Sequence, residues 1–251
     1  GEQPVDLLLT DPPYGVDYVG KTKDALKIEG DAQRAAEFRT FLAAAFRAAD
    51  QAMRPGAAFY IWHAETTGLT FRLAAQDAGW EIRQCLVWAK NTMVMGRQDY
   101  HWQHEPCLYG WKGGAAHQWV ADRKQTTLQR TPGWHINKSG DSYAVVFDGA
   151  TYILSGDNIR VRRVDTTLLE YERPTRSTDH PTMKPAALFE YLMLNSTKRG
   201  QVVLDTFVGS GTTVIAAERL GRQARVVELA PTYADVVRRR WAEYVHGDGA
   251  D

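Results

Sequence analysis

Two short motifs carry the residues whose types and spacing could do chemistry. The first is Asp11-Pro12-Pro13-Tyr14, which follows the apolar residues 5–10. The second is Phe207-Val208-Gly209-Ser210-Gly211-Thr212-Thr213, which follows another apolar run that ends at Asp205. Runs with so few polar residues are typical of strands buried in a parallel sheet. The two motifs therefore place a carboxylate and an aromatic ring at one strand end, and a glycine-rich loop at another.

The first motif suits the binding of an exocyclic amine on a planar base. Consecutive prolines fix the backbone and remove two N–H donors, which leaves carbonyl oxygens free as acceptors. Asp11 could accept one amine hydrogen and the Pro12 carbonyl the other, while Tyr14 stacks on the ring. The structural alternative is an acidic residue that caps a proline-rich turn beside a packed tyrosine.

The second motif indicates a nucleoside cofactor. Gly209 and Gly211 would let the backbone approach a ligand, and the helix that follows favours negative charge at its N-terminus. Glu228 comes 23 positions after Asp205, at the end of the next strand, where a carboxylate can bind ribose hydroxyls. A nicotinamide site would show three glycines, and a P-loop would have a lysine after the second glycine. Both are therefore less favoured.

Taken together, the motifs resemble the permuted, or β-class, DNA amino-methyltransferases. In that group the catalytic Asp-Pro-Pro-Tyr comes first and the Phe-x-Gly-x-Gly loop comes last. The resemblance covers almost all of residues 5–245 except an insert at about 112–180. Thr206 departs from it, since the family usually has proline there, but proline is a turn device and no loss of function is expected. The resemblance also implies that the strands ending at Thr10 and Asp205 are neighbours.

The resemblance assigns roles to individual residues. Thr182 and Lys184 belong to a segment, residues 180–185, that matches the cofactor side of the family and would lie near the methionine part. The catalytic residues implied are Asp11, Pro12, Pro13 and Tyr14. The remaining cofactor residues implied are Asp205, Phe207, Gly209, Ser210, Gly211, Thr212, Thr213 and Glu228.

The implied activity is methyl transfer from S-adenosylmethionine to the N6 amine of an adenine flipped out of double-stranded DNA. Aspartate at the head of the tetrapeptide favours adenine, because the cytosine-N4 enzymes more often carry serine there. Cytosine-N4 methylation is the nearest alternative. A non-catalytic DNA-binding protein of the same fold is a further one, which the intact Asp11, Tyr14 and Glu228 argue against.

The motifs require an α/β fold to position them. Alternating strands and helices predict a Rossmann-like, mostly parallel sheet covered on both faces, in a single domain over residues 1–251. Between about residues 112 and 180 the alternation breaks. There a hairpin around Asp148-Gly149 and a further strand at 159–164 predict a small β-rich target-recognition insert.

Composition narrows the partners only slightly. The net charge is zero, with 30 basic and 30 acidic residues, so positive charge would have to be concentrated on one face to bind DNA. The expected DNA contacts are Lys21 and Lys23 after the tetrapeptide, and Arg160 and Arg162 in the insert. A homodimer and a cognate restriction nuclease are possible partners by resemblance.

No metal is expected, although His101, His104, Cys107 and His117 have spacings that zinc could use. Two cysteines, no apolar run of the roughly 18 residues that span a membrane and no signal-peptide pattern predict a cytoplasmic protein.

Overall fold

The computed structural model describes residues 3–14, 35–94, 99–121, 135–139, 142–147, 150–155, 168–170 and 184–247. The strands are β1 (Val5–Thr10), β2 (Met53–Trp62), β3 (Glu81–Val94), β4 (Trp102–Trp111), β5 (His135–Ser139), β6 (Ser142–Phe147), β7 (Ala150–Ser155), β8 (Leu168–Glu170), β9 (Val202–Asp205) and β10 (Gln223–Val226). The helices are α1 (Ala35–Ala52), α2 (Gly68–Asp77), α3 (Ala186–Ser196), α4 (Thr212–Leu220) and α5 (Pro231–His246).

Seven strands form the main sheet, in the order β10-β9-β1-β2-β4-β3-β8. Neighbouring strands are parallel except at β4, which is antiparallel to β2 on one side and to β3 on the other. Among these described strands β4 alone runs against the rest, so the predicted mostly parallel sheet is confirmed. β1 lies between β9 and β2, so a strand from the start of the sequence lies beside one that comes about 195 residues later.

Helices cover both faces of this sheet because alternate residues of its strands point to opposite sides. In β1, Leu8 belongs to one buried cluster together with Phe38 of α1. Its neighbours Leu7 and Leu9 belong to a second cluster, with Leu192 of α3. β1 is therefore buried on both sides of the sheet, as its mostly apolar sequence predicts.

The boundaries of most elements follow the sequence pattern closely. The apolar runs at residues 5–10 and before Asp205 form β1 and β9 as predicted, and α4 follows the glycine-rich loop. β2 starts at Met53, directly after α1, and includes the Pro55-Gly56 pair. Gly56 has a φ of 75° and donates its N–H to the Lys112 carbonyl, so this pair continues the strand after α1 has ended.

A separate three-stranded antiparallel sheet, β5-β6-β7, lies within the predicted insert. β6 and β7 pair across Asp148-Gly149, which confirms the hairpin. The third strand of this sheet is β5, before the hairpin, and not the predicted strand at 159–164, which falls outside the described residues. β5 and β6 are separated by only two residues, Gly140 and Asp141, and so short a connection favours pairing of consecutive strands.

Other parts of residues 112–180 contact the main sheet and its helices. Gln118 Nε2 donates to the Ser196 carbonyl at 3.2 Å, and the Val120 N–H donates to the Asn195 carbonyl at 2.8 Å. β8 pairs with β3 at the edge of the main sheet. The division of the chain into a domain and an insert stays a prediction.

Candidate active site

The ends of β1 and β9 bring the two motifs together across 195 positions of sequence. Leu7 and Leu8 pair with Val203 and Leu204, and the side chains that follow along these strands meet at the carboxyl edge of the sheet. There the Thr10 hydroxyl donates to Asp205 Oδ1 at 2.9 Å. The predicted adjacency of the two strands is confirmed.

Asp205 is buried and is held in place by three donors. Besides Thr10, the Thr213 hydroxyl donates to Oδ2 at 2.5 Å and the Phe207 N–H donates to Oδ1 at 3.0 Å. Burial raises the pKa of Asp205 to about 6, although all three hydrogen bonds act in the opposite direction. This carboxyl group joins β1, β9 and the start of α4, so it holds the glycine-rich loop against the Asp-Pro-Pro-Tyr motif.

The glycine-rich loop needs both of its glycines. Gly209 and Gly211 have φ values of 54° and 89°, in the region that favours glycine. A Cβ at Gly211 would lie 3.1 Å from Val237 Cγ1 of α5, so α5 packs directly on this turn. α4 then begins at Thr212, with its N-terminus at the loop.

Glu228 lies two residues beyond β10 and faces this loop. Its carboxylate accepts the Gly209 N–H at 2.8 Å and the Ala230 N–H at 3.0 Å. The neighbouring Val227 and Leu229 side chains are 55% and 83% exposed. A partly exposed carboxylate between exposed apolar side chains has the chemistry of a nucleoside site, with acceptors for ribose hydroxyls and apolar surface for a planar base. These residues fit the predicted cofactor.

The Asp-Pro-Pro-Tyr motif is organised around a lysine. Lys184 Nζ donates to Asp11 Oδ2, to the Tyr14 hydroxyl at 2.9 Å and to Glu105 Oε2 at 3.1 Å. The Tyr14 hydroxyl in turn lies 2.9 Å from Asp11 Oδ1 and 3.1 Å from Glu105 Oε2. Four charged or polar groups from the end of β1, from β4 and from the start of α3 thus meet at one point of the sheet edge.

A second lysine completes this cluster. Lys90 Nζ lies 2.5 Å from Glu105 Oε1, so the carboxylate is held between two cations. The Lys90 and Lys184 side chains are only 7% and 4% exposed. Lys90 lies over the indole of Trp88 and Lys184 over that of Trp62, at 5.6 Å and 5.4 Å. Aromatic faces attract cations, and they shield this cluster from water.

The charges in the cluster balance one another. Burial disfavours the charged form of Glu105, but Lys184 and Lys90 outweigh it and lower its pKa to about 2. Burial also opposes the charge on Lys184, yet the carboxylates of Asp11 and Glu105 raise its pKa. For Asp11, burial outweighs Lys184 and raises the pKa. Glu105 is therefore ionised near neutral pH, and Asp11 is the more basic of the two carboxylates.

The structure places the predicted residues in two adjoining groups. Asp205 and Glu228 hold the glycine-rich loop, while Asp11 and Tyr14 belong to the charged cluster. Lys184 connects the groups, because its carbonyl accepts the Thr212 hydroxyl at 3.4 Å while its ammonium lies against Asp11. The predicted residues Thr182, Lys21, Lys23, Arg160 and Arg162 lie outside the described residues.

Glu105 and Lys90 are site residues that sequence reasoning missed. In the segment for which zinc was the alternative, Cys107 is buried and His117 stacks on Trp111 with ring centroids 4.0 Å apart. Within the described residues, no group of three or more His, Cys, Asp or Glu side chains could hold a metal ion. The available signal was a charged residue directly beside an apolar run, Lys90 after residues 85–89 and Glu105 before residues 106–109.

Comparison with known families decides what this site belongs to. The family model described as DNA methylase, of the N6/N4 methyltransferases, matches residues 5–239. The chain belongs to this family. It is 23% identical to the type II methyltransferase M2.DpnII of Streptococcus pneumoniae, over 94% of this chain and 82% of that protein. It is 25% identical to the type II methyltransferase M.HpaI of Haemophilus parainfluenzae, over 95% of this chain and 68% of that protein.

Solved structures share the fold of this DNA methyltransferase. A protein of Thermus thermophilus described as a DNA modification methylase, solved in complex with S-adenosyl-L-methionine, superposes with a TM-score of 0.58 at 22% identity. The match covers 98% of this chain and 91% of that chain. The cytosine-N4-specific PvuII DNA methyltransferase gives a TM-score of 0.61 at 15% identity, over 96% of this chain and 80% of that chain.

These matches support S-adenosylmethionine as the cofactor that the sequence predicts. The family model covers both N6 and N4 methyltransferases, and one matching structure is cytosine-N4-specific. The matches therefore do not distinguish adenine from cytosine as the target base. In the part of the chain that the structure describes, no helix is long and apolar enough to span a membrane.

Proposed function

We propose that this protein methylates the exocyclic N6 amine of adenine in double-stranded DNA. The observation that carries the proposal is the hydrogen bond between Thr10 and Asp205, which joins the strand before Asp11 to the strand before the glycine-rich loop. An amine held at Asp11 would therefore lie beside a nucleoside held at Glu228. When bound, S-adenosylmethionine supplies an activated methyl group on a sulfonium ion.

The residues of the second motif would hold this cofactor. The Glu228 carboxylate offers acceptors for the ribose hydroxyls, and the exposed Val227 and Leu229 offer apolar surface for its base. Gly209 and Gly211 let the loop backbone approach the ligand, and Asp205 fixes the loop through Thr213. The chain thus supplies binding and orientation, which account for most of the rate when the donor is already activated.

The residues of the first motif would hold the target amine. Asp11 keeps 22% of its side chain exposed, whereas the Lys184 side chain beside it is only 4% exposed. Asp11 accepts a hydrogen bond from the amine and turns the nitrogen lone pair toward the methyl group. Tyr14 supplies an aromatic face beside this carboxylate. A base within a stacked duplex could not enter this edge of the sheet, so the target must be flipped out.

The proposal is tested by methyl transfer from tritiated cofactor to DNA, followed by nucleoside analysis of the product. N6-methyladenine is the expected product. N4-methylcytosine would keep the enzyme class and reject the choice of base, and no transfer in any DNA would favour a non-catalytic DNA-binding protein.

Asp11→Ala is expected to lower the single-turnover rate by at least about 100-fold, because it removes the acceptor for the amine. Cofactor affinity should be retained, since Asp205 and Glu228 are unchanged. Asp235→Ala, at an exposed aspartate of α5, is the matched control and should keep the wild-type rate. Full turnover by Asp11→Ala with normal DNA affinity would show that Asp11 does not hold the amine.

The use of residues 112–180 for sequence recognition, and of Lys21, Lys23, Arg160 and Arg162 for DNA contact, stays a prediction. The same is true of a homodimer, of a partner restriction nuclease and of a cytoplasmic location. Sequencing that maps methylated positions on treated DNA would identify the recognition site. Exchange of the segment for that of a relative with a different site would then test where recognition lies.

A further inference from the structure

Both carboxylate oxygens of Asp11 are engaged before any substrate binds. Oδ2 accepts from Lys184, and Oδ1 accepts from the Tyr14 hydroxyl at 2.9 Å. Each oxygen can accept a second hydrogen bond, but if Asp11 binds the target amine, as the proposed function requires, an oxygen that has lost its present donor accepts the amine hydrogen more strongly. Lys184 is buried and forms an ion pair with Asp11, so it is the more costly contact to break. The Tyr14 hydrogen is the contact that can change.

The Tyr14 hydroxyl has one hydrogen but two carboxylate acceptors. Its oxygen lies 2.9 Å from Asp11 Oδ1 and 3.1 Å from Glu105 Oε2, and a phenol can donate to only one of them at a time. Lys184 donates to the same oxygen at 2.9 Å. The oxygen is therefore held in place while its hydrogen can rotate from one carboxylate to the other.

Glu105 is well suited to be the second acceptor. It lies between Lys90 at 2.5 Å and Lys184 at 3.1 Å, and these cations keep it ionised near neutral pH. It comes from β4, on the far side of β2 from Asp11, so its position does not depend on the Asp-Pro-Pro-Tyr turn. An ionised acceptor on a rigid strand is available whenever the tyrosine leaves Asp11.

We propose that Glu105 is a positioning residue, which takes the hydrogen bond of the Tyr14 hydroxyl when the target amine binds and so frees Asp11 Oδ1 for that amine. No covalent bond changes in this step. The hydrogen stays on the Tyr14 oxygen and only its acceptor differs. Glu105 thus acts on the reaction through Tyr14 and Asp11, without contact with the base.

A double-mutant cycle on the single-turnover rate of methyl transfer tests this proposal. Glu105→Gln leaves an amide that accepts less strongly than the Asp11 carboxylate, so the hydrogen should stay on Asp11. We expect the rate at saturating cofactor and DNA to fall about tenfold, which corresponds to one charge-assisted hydrogen bond. In a Tyr14→Phe background there is no hydrogen to move, and the same substitution should change the rate by less than about twofold.

Other roles of Glu105 predict a different pattern. If Glu105 only balances the charges of Lys90 and Lys184, Glu105→Gln should lower the rate by the same factor in both backgrounds. Equal losses, or no loss in the wild-type background, would overturn the proposal. Glu81→Gln, at an exposed position of β3 that pairs with Arg83, is the matched control and should keep the wild-type rate.

Glu105→Asp provides a second variant should the glutamine not fold. It keeps the negative charge between the lysines but is one methylene shorter, so it should not reach Tyr14, and the same non-additive pattern is expected. Thermal unfolding and cofactor affinity of each variant show that the site is intact. Absence of transfer by the wild-type protein, or full activity of Asp11→Ala, would instead refute the proposed function.

Discussion

The buried carboxyl group of Asp205 makes a prediction about the stability of the protein as pH changes. Asp205→Asn replaces a side chain that can ionise with one of nearly the same shape that cannot. In the wild-type protein, burial raises the pKa of Asp205 from 3.8 to about 6, against the hydrogen bonds from Thr213, Phe207 and Thr10. The unfolded chain, exposed to water, should titrate near the ordinary value.

The direction of the change in stability with pH follows from proton binding. Between pH 3.8 and about pH 6 the folded protein keeps a proton on Asp205 that the unfolded chain releases, so the free energy of unfolding decreases as pH rises through this range. A difference of about two pKa units corresponds to about 3 kcal/mol in total. Between pH 4 and pH 7 we expect the stability of wild type relative to Asp205→Asn to fall by about 2 kcal/mol and then to level off.

The assay is urea unfolding of both proteins without cofactor at pH 4, 5, 6, 7 and 8, with tryptophan fluorescence as the signal. The variant lacks some hydrogen bonds, but that loss is independent of pH and cancels in the trend. Asp77→Asn is the control: the hydrogen bond with Arg39 lowers the pKa of this exposed aspartate below 3.8, so its titration lies below this pH range and the stability difference should stay nearly constant between pH 4 and pH 8. A stability difference for Asp205 that is flat or rises with pH would refute the argument, since the hydrogen bonds would then outweigh burial.

Two further predictions concern the loop and the core. Gly211→Ala should lower the free energy of unfolding by about 1–2 kcal/mol and weaken cofactor binding, because φ is 89° and the new Cβ would lie 3.1 Å from Val237. Urea unfolding measures the stability, and calorimetric titration measures the cofactor affinity. Gly113→Ala is the control, because the space around its new Cβ is open. Equal effects of the two substitutions would contradict the steric argument. Leu42→Ala in α1 should cost about 2–5 kcal/mol, because the side chain is fully buried. Leu69→Ala in α2, where the side chain is 71% exposed, should change the free energy of unfolding by less than about 0.5 kcal/mol. Similar losses for both leucines would show that Leu42 of α1 is not in the core.

Local sequence patterns were sufficient for most of the fold. Continuous apolar runs predicted buried strands, and the turn residues Asp148-Gly149 predicted the hairpin of β6 and β7. These features depend on neighbouring residues, so they can be read along the chain. The third strand of the small sheet shows where this fails, because the pairing of β5 with β6 depends on which segments come together.

The catalytic and cofactor motifs were also visible in the sequence by itself. Asp11 and Tyr14 at one strand end, and Asp205, Gly211 and Glu228 around the other, are combinations of residue type and spacing that few other sites use. What each motif binds could therefore be predicted from chemistry and resemblance before any contact was known.

Only the tertiary structure brought Lys184, Glu105 and Lys90 to Asp11. Tyr14 and Glu105 are 91 positions apart, and Lys184 and Asp11 are 173 apart. Their meeting depends on the order of strands in the sheet, which places β1 beside β2 and the antiparallel β4 next to it. A buried charged residue needs a partner, but strand order decides which partner it meets.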